Sequence, residues 1–219
     1  MPNDLTLSFG LPEGRLILNP ADLQTWAQHL TRCCRLLGIA PDSTIGVVDF
    51  GTSPVAFLGS RLLTPLLPQG LAELLPARII CLDASRERVA LVPSILKQVK
   101  MDALFARADV LPALLSYASE ADVDLSTLKV VVSHAPDHRD PVPDRPFLTH
   151  LWLNEAAMLI APLCPACGAY HLDPLLYALD AGSVLTHSLG AITPLPLTVQ
   201  PAARVCPAAP DDLLLHEVS

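Results

Sequence analysis

No run in this sequence reaches the roughly 18 uninterrupted apolar residues that a bilayer-spanning helix needs, because Pro, Arg, Asp or His interrupts every candidate. The first residues, MPNDLTLSFG, lack a basic segment followed by an apolar one, so no secretory signal is expected and the chain reads as cytoplasmic. Clustered Lys and Arg are missing too. With a formal charge of −8 the chain lacks the cations that neutralise phosphates, which argues against nucleic acid as a ligand, and no Arg-rich amphipathic segment suits an anionic membrane. A Gly-x-Ser-x-Gly nucleophile signature, an internal repeat and a low-complexity linker are all lacking. Charged residues make up only 16% against 51% apolar, so part of the surface is expected to meet a protein partner.

What is present starts with length. A chain of 219 residues can bury a sizeable core without disulfides. In a reducing compartment the thiols of Cys33, Cys34, Cys81, Cys164, Cys167 and Cys206 stay reduced, which favours metal binding or burial. Many of the 22 prolines lie after residue 135, and DHRDPVPDRP reads as an extended loop, since each Pro fixes its own φ and biases its predecessor away from helix.

Asn19 as N-cap, Pro20 at the first helical position and Asp22 near the positive end of the dipole start a helix. Leu23, Trp26, Ala27, Leu30 and Leu37 follow helical spacing, Cys33 and Cys34 are expected to be buried within it, and Gly38 with Pro41 ends it. TIGVVDF, ARIICLD and KVVVSHA are short, β-branched and bounded by turn residues, so they read as buried strands, with Cys81 inert inside the second. Helical segments are expected near 54–63, 86–99 (disturbed by Pro93) and 108–120. Strands alternating with helices predict an α/β fold with a largely parallel sheet flanked by helices over 1–146. From 147 the chain turns to short apolar runs, FLTHLWL, AMLIAPL and SVLTHSL, which predict a smaller β-rich portion over 147–219, packed with the first in one compact unit.

Cys164 and Cys167 form a Cys-x-x-Cys pair with His171 close behind. The residues alone leave three readings open: a metal site, buried reduced thiols, or redox chemistry. His134 and His138, flanked by Asp137 and Asp140, read as part of a solvated loop, and His150 and His187 as core or pocket residues of apolar strands.

The order of these pieces resembles the phenylacetate-CoA ligase branch of the adenylate-forming enzymes, including the coenzyme F390 synthetase-like proteins. It covers the middle part of a full ligase, within its N-terminal domain. LSFGLPEGRL stands where that family has a Ser/Thr/Gly loop around the ATP phosphates. Ser8, Gly10, Gly14 and Arg15 keep its outline, but Leu11, Pro12 and Glu13 replace the paired threonines; Pro12 donates no N–H and Glu13 repels phosphate. Ser133-His134-Ala135-Pro136 stands for the family's adenine-gripping Gly-Ala-Glu-Pro, and LWLNE for its Tyr-Gly-Leu-Thr-Glu. Trp152 and Asn154 replace the Gly and Thr there, and Glu155 is the vestige of a carboxylate near magnesium. After Pro194-Leu195 or Pro196-Leu197, Thr198, Val199 and Gln200 stand where Arg and acidic residues belong. The sequence then ends, without the mobile C-terminal domain that carries the catalytic Lys. The resemblance thus implies a truncated, degenerate pseudo-ligase with no catalytic residue and no ATP bound.

In the same branch a Cys followed seven residues on by a His, and a later Cys-Pro-Cys-Gly segment, bind zinc in some members. Cys164 and His171 keep that spacing, Cys206-Pro207 keeps the start of the second segment, Ala208 replaces its last Cys, and Cys167 supplies an additional thiol. The implied set is Cys164, Cys167, His171 and Cys206 around a structural zinc ion, a closed shell with no position for water. The functions expected in consequence are, first, a non-catalytic accessory protein that binds a partner, with a homodimer plausible from the family. The second is a small-molecule regulator using the old acyl pocket near Trp152 and His134. The third is an adenylating subunit completed in trans, which would need Glu155, Arg15 and Asn154 to converge.

Overall fold

A computed structural model of the chain describes residues 7–11, 14–51, 53–59, 66–134, 145–154, 159–180, 184–187, 197–202 and 205–218. Two short strands, β1 (Leu7–Leu11) and β2 (Gly14–Leu18), pair antiparallel and lead into the helix α1 (Pro20–Leu36). The start of α1 is the one its residues encode. The Asn19 side chain accepts from the Ala21 and Asp22 N–H groups, and the Asp22 carboxylate accepts from the Asn19 N–H at 3.2 Å, a reciprocal cap. At the other end Gly38 takes the left-handed conformation (φ +73°) that stops the helix, and the Lys129 ammonium donates to the Leu37 carbonyl. The inner stripe of α1, Leu23, Trp26, Ala27, Leu30, Cys33 and Cys34, is wholly buried, as its spacing predicts.

The main sheet has six strands, β3 (Thr44–Val48), β4 (Arg78–Leu82), β5 (Ala103–Arg107), β6 (Lys129–His134), β7 (Leu148–Asn154) and β8 (Leu159–Pro162), arranged β4, β3, β5, β6, β7, β8. All neighbours are parallel except the β7–β8 pair. The crossovers carry α2 (Pro54–Gly59), α3 (Leu71–Leu74), α4 (Arg86–Val89), α5 (Val92–Gln98), α6 (Leu111–Glu120) and a 3₁₀ turn at Leu125–Thr127. Because β3 lies between two crossover layers, its alternate residues enter different cores: Ile45 and Val47 join α1 and α2, while Val48 joins α5 and α6.

Four details depart from the sequence reading. β5, ALFAR, was not expected as a strand; Ala and Leu favour helix, and here parallel pairing with β3 and β6 overrides that preference. β4 is an edge strand rather than a buried one, and Cys81 on it is exposed. The segment 86–99 forms two helices with a turn at Ala90 and Leu91, ahead of Pro93 in the first turn of α5. And the change of composition at 147 is no break in the sheet, since β7 and β8 complete it.

The remaining strands form a second, wholly antiparallel sheet ordered β10, β11, β12, β13, β9. They are β9 (Tyr170–Leu172), β10 (Tyr177–Asp180), β11 (Val184–His187), β12 (Leu197–Pro201) and β13 (Leu213–Val218). Leu172, Tyr177, Val199 and Leu215 turn inward against α1 and β8 and join the larger core. No helix among the described residues is long and apolar enough to cross a membrane.

Candidate metal centre

A single bridge between Leu163 and Tyr170 carries the end of β8 over to β9, and the residues between them form a tight knuckle. Its backbone closes on itself: Cys164 N–H donates to the Ala169 carbonyl at 2.9 Å and Gly168 N–H to the Cys164 carbonyl at 2.8 Å. Gly168 adopts φ +63°, a conformation that an L side chain disfavours. Cys164 and Cys167 are thereby turned to the same side, and β9 carries His171 to join them. Cys206 arrives from the other direction, in a turn closed by the Ala209 N–H to the Cys206 carbonyl at 3.2 Å, just ahead of β13. The ladder between β9 and β13 sets Leu214 opposite His171 and so fixes the two halves of the cluster in register.

All four residues named from the sequence come together here. The three sulfurs and an imidazole nitrogen lie within 4.8 Å of one another, with Cys164, His171 and Cys206 buried and Cys167 partly so. Cys164 and Cys206 sulfurs are 3.8 Å apart, and Cys167 Sγ is 3.2 Å from His171 Nε2. Two thiolates at about 2.3 Å from a tetrahedral zinc stand about 3.8 Å from each other, so the donor set and its spacing fit such an ion. Without an ion the thiols share their protons unequally. Burial pushes the Cys167 thiol up. It opposes ionisation of Cys206 as well, but hydrogen bonds from the Ala208 N–H and the Cys167 and Cys164 thiols draw that group below the ordinary thiol range.

One residue at the cluster escaped the sequence reading. Asp212 accepts the Nδ1 proton of His171 through Oδ2 at 2.8 Å, and its other oxygen accepts from Arg32 on α1. Burial opposes the charge on Asp212, but these two donors hold its carboxyl below the usual range. The signal was present as the Asp211-Asp212 pair, six residues beyond Cys206, where a ligating imidazole needs a carboxylate behind it.

The other candidates are more scattered. Glu155, His138, Asp137 and Asp140 lie outside the described residues. Arg15 stands on β2 opposite Gly10, Asn154 ends β7 opposite Leu159, His187 pairs with Tyr177, and His134 pairs with Trp152 at the ends of β6 and β7. His150 is half-buried on β7. At the C-terminal ends of β3 and β5, where the strand order reverses, Arg107 makes a paired contact with Asp109 at 2.9 and 2.8 Å. It lies 3.9 Å from Asp49 and stacks 4.9 Å from the Phe50 ring. Burial pushes the Asp49 carboxyl up.

No family model and no curated protein matches this sequence. Its fold does match solved structures. Over 98% of its length the chain is similar to a 2-hydroxyisobutyryl-CoA ligase in an open conformation with 2-HIB-AMP and CoA, at 12% identity and TM-score 0.71, covering 53% of that chain. The postadenylation state of a 2-hydroxyisobutyryl-CoA ligase with R3-HIB-AMP matches over 98% of this chain and 51% of its own, at 13% identity and TM-score 0.70. The thioesterification state matches over 96% of this chain and 49% of its own, at 12% identity and TM-score 0.65. The chain thus spans about half the length of these structures. It shares the mixed α/β fold of about half of these ligase structures, in keeping with the fold that the family resemblance implied.

Proposed function

We propose that this chain is a degenerate relative of the phenylacetate-CoA ligase and coenzyme F390 synthetase-like branch that does not adenylate. In this reading it holds a structural zinc ion through Cys164, Cys167, His171 and Cys206 and acts as an accessory protein by contact with a protein partner. The observation that carries the reading is the pairing of β1 with β2. The stretch that resembles a phosphate loop is zipped into a ladder, Ser8 opposite Ile17, Phe9 opposite Leu16, Gly10 opposite Arg15 and Leu11 opposite Gly14, with two residues left between the strands. A phosphate loop works by keeping its N–H groups free to face oxygens, and a ladder spends many of them on the opposite strand.

Two further features support it. Trp152 is buried with its ring 6.2 Å from that of Tyr170, so a bulky packed side chain stands where the resembled family has Gly. Leu175 and Val205, 85% and 69% exposed, are apolar side chains suited to a protein contact. The zinc ion in this reading supplies no chemistry; with four protein ligands it joins the knuckle, β9 and the turn before β13.

The test pairs elemental analysis of protein purified without an affinity metal with ATP–pyrophosphate exchange over a panel of aryl and acyl acids. One zinc per chain and no exchange are expected, with the protein recovered from its native source in a complex. Exchange with any acid, or thermal stabilisation by ATP and magnesium, would overturn the non-catalytic reading in favour of an adenylating subunit completed in trans.

A second reading, a regulator that binds a small molecule, is favoured by a groove of about 490 Å³ between α4 and α6, walled by Arg86, Val89, Asp109, Ala113 and Tyr117. Its place differs from the pocket near Trp152 and His134 that the resemblance implies. Saturable binding of an acyl or aromatic acid, abolished by Ala113→Trp, would favour this reading over the first.

A further inference from the structure

The contact between Asp212 and His171 reaches beyond the four candidate ligands. A neutral imidazole carries its proton on one nitrogen only, and the nitrogen that faces a carboxylate is the one that keeps it. Nδ1 of His171 lies 2.8 Å from Asp212 Oδ2, so Nε2 is left with the lone pair, and Nε2 is the atom that faces the Cys167 sulfur at 3.2 Å. Both side chains are fully buried. A carboxylate in that position is strongly disfavoured unless its oxygens are partnered, and the second oxygen takes its partner from Arg32, 180 residues away on α1. Arg32 is in turn steadied by Asp173 at 3.8 Å, two residues after His171.

We propose that Asp212 is a positioning residue for the metal centre: it fixes the tautomer and the ring orientation of His171 so that Nε2 serves as the fourth ligand, and Arg32 fixes Asp212. The inference rests on the zinc reading given above. A merely structural ion pair between Arg32 and Asp212 would tie the tail to α1 and leave metal affinity unchanged; a positioning residue changes how tightly and through which atom the metal is held. Replacing such an outer carboxylate weakens metal binding by about 10- to 100-fold in comparable sites.

The experiment uses the full chain and its Asp212→Ala and Arg32→Met variants. Zinc affinity is measured by competition with a chromophoric chelator, the visible spectrum is recorded with cobalt in place of zinc, and the ¹⁵N shifts of the His171 ring are read in the zinc-loaded wild type. The expected results are a protonated Nδ1 and a metal-bound Nε2, a loss of about 10- to 100-fold in affinity for Asp212→Ala, and a smaller loss for Arg32→Met. The proposal is overturned if the wild type binds zinc and Asp212→Ala binds it equally well with the same cobalt spectrum. It is overturned as well if the ring binds through Nδ1, a result that the wild type gives even if Asp212→Ala does not fold. A wild type that takes up neither zinc nor cobalt sinks the zinc reading itself, and the positioning role with it.

Discussion

The sulfurs of Cys164 and Cys206, 42 residues apart in sequence, lie 3.8 Å from each other, about the separation of two thiolates on one tetrahedral zinc ion. One comes from the end of the main sheet and the other from the turn before the last strand, so an ion between them would join two layers. Metal that binds only the folded chain adds RT ln(1 + [Zn]/Kd) to its stability, about 4 kcal/mol when free zinc exceeds Kd a thousandfold. Urea unfolding with zinc and with excess chelator should differ by several kcal/mol in the wild type and by little in Cys206→Ser. Cys81→Ser, an exposed position on β4 away from the cluster, should keep the full difference. Equal midpoints for the wild type in zinc and in chelator would mean that the cluster holds no metal.

His29 predicts a pH dependence of its own. Its Nε2 sits 2.7 Å from the Ile160 carbonyl, its Nδ1 has no hydrogen-bond partner among the described residues, and burial pushes its pKa below the ordinary 6.5. Below about pH 6.5 the unfolded chain takes up a proton that the folded chain resists, so stability contributed by neutral His29 is present above that value. It is lost progressively as pH falls through the lowered folded-state pKa. Denaturant melts in chelator at pH 7.5 and 5.0 should show a drop for the wild type that is smaller in His29→Gln, whose amide can still donate to Ile160. An identical drop in both proteins would assign the acid sensitivity elsewhere.

Trp152 offers a test of packing. The residue is 7% exposed and its ring tilts against that of Tyr170, between β7 and the second sheet. Truncation of a buried Trp to Ala typically costs 3–5 kcal/mol, roughly, through lost contacts and the cavity left behind. Trp152→Ala should lose about that much by chemical denaturation. A loss below about 1 kcal/mol would show that the indole is not filling the space between the sheets.

Much of this was legible in advance, for physical reasons. The cap of α1 is a local contact among Asn19, Ala21 and Asp22, and local contacts are written in adjacent residues. TIGVV and KVVVSH announce themselves by β-branching. The Cys/His cluster was half written in its spacing, since Cys164, Cys167 and His171 fall within eight residues, while Cys206 was added by the family resemblance through its Cys206-Pro207 pair. β5 was not, because ALFAR has no local preference for strand and is made one by its neighbours on both sides. RIICL has the composition of a central strand, and only the topology puts it at an edge with Cys81 exposed. Asp212 was hidden for a similar reason: its partner Arg32 belongs to the first helix, and nothing in either neighbourhood names the other.

That long-range contact also bears on the order of assembly. Closing a flexible loop of 180 residues costs about 1.3 kcal/mol more in chain entropy than closing one of 42, so Arg32 and Asp212 are poor candidates to meet early in an unfolded chain. Once the sheets have formed between them the entropy has already been spent, and the two side chains meet at little further cost. Because β13 lies between β12 and β9, the Arg32–Asp212 pair closes only when that whole sheet is seated on α1, as a latch between the two.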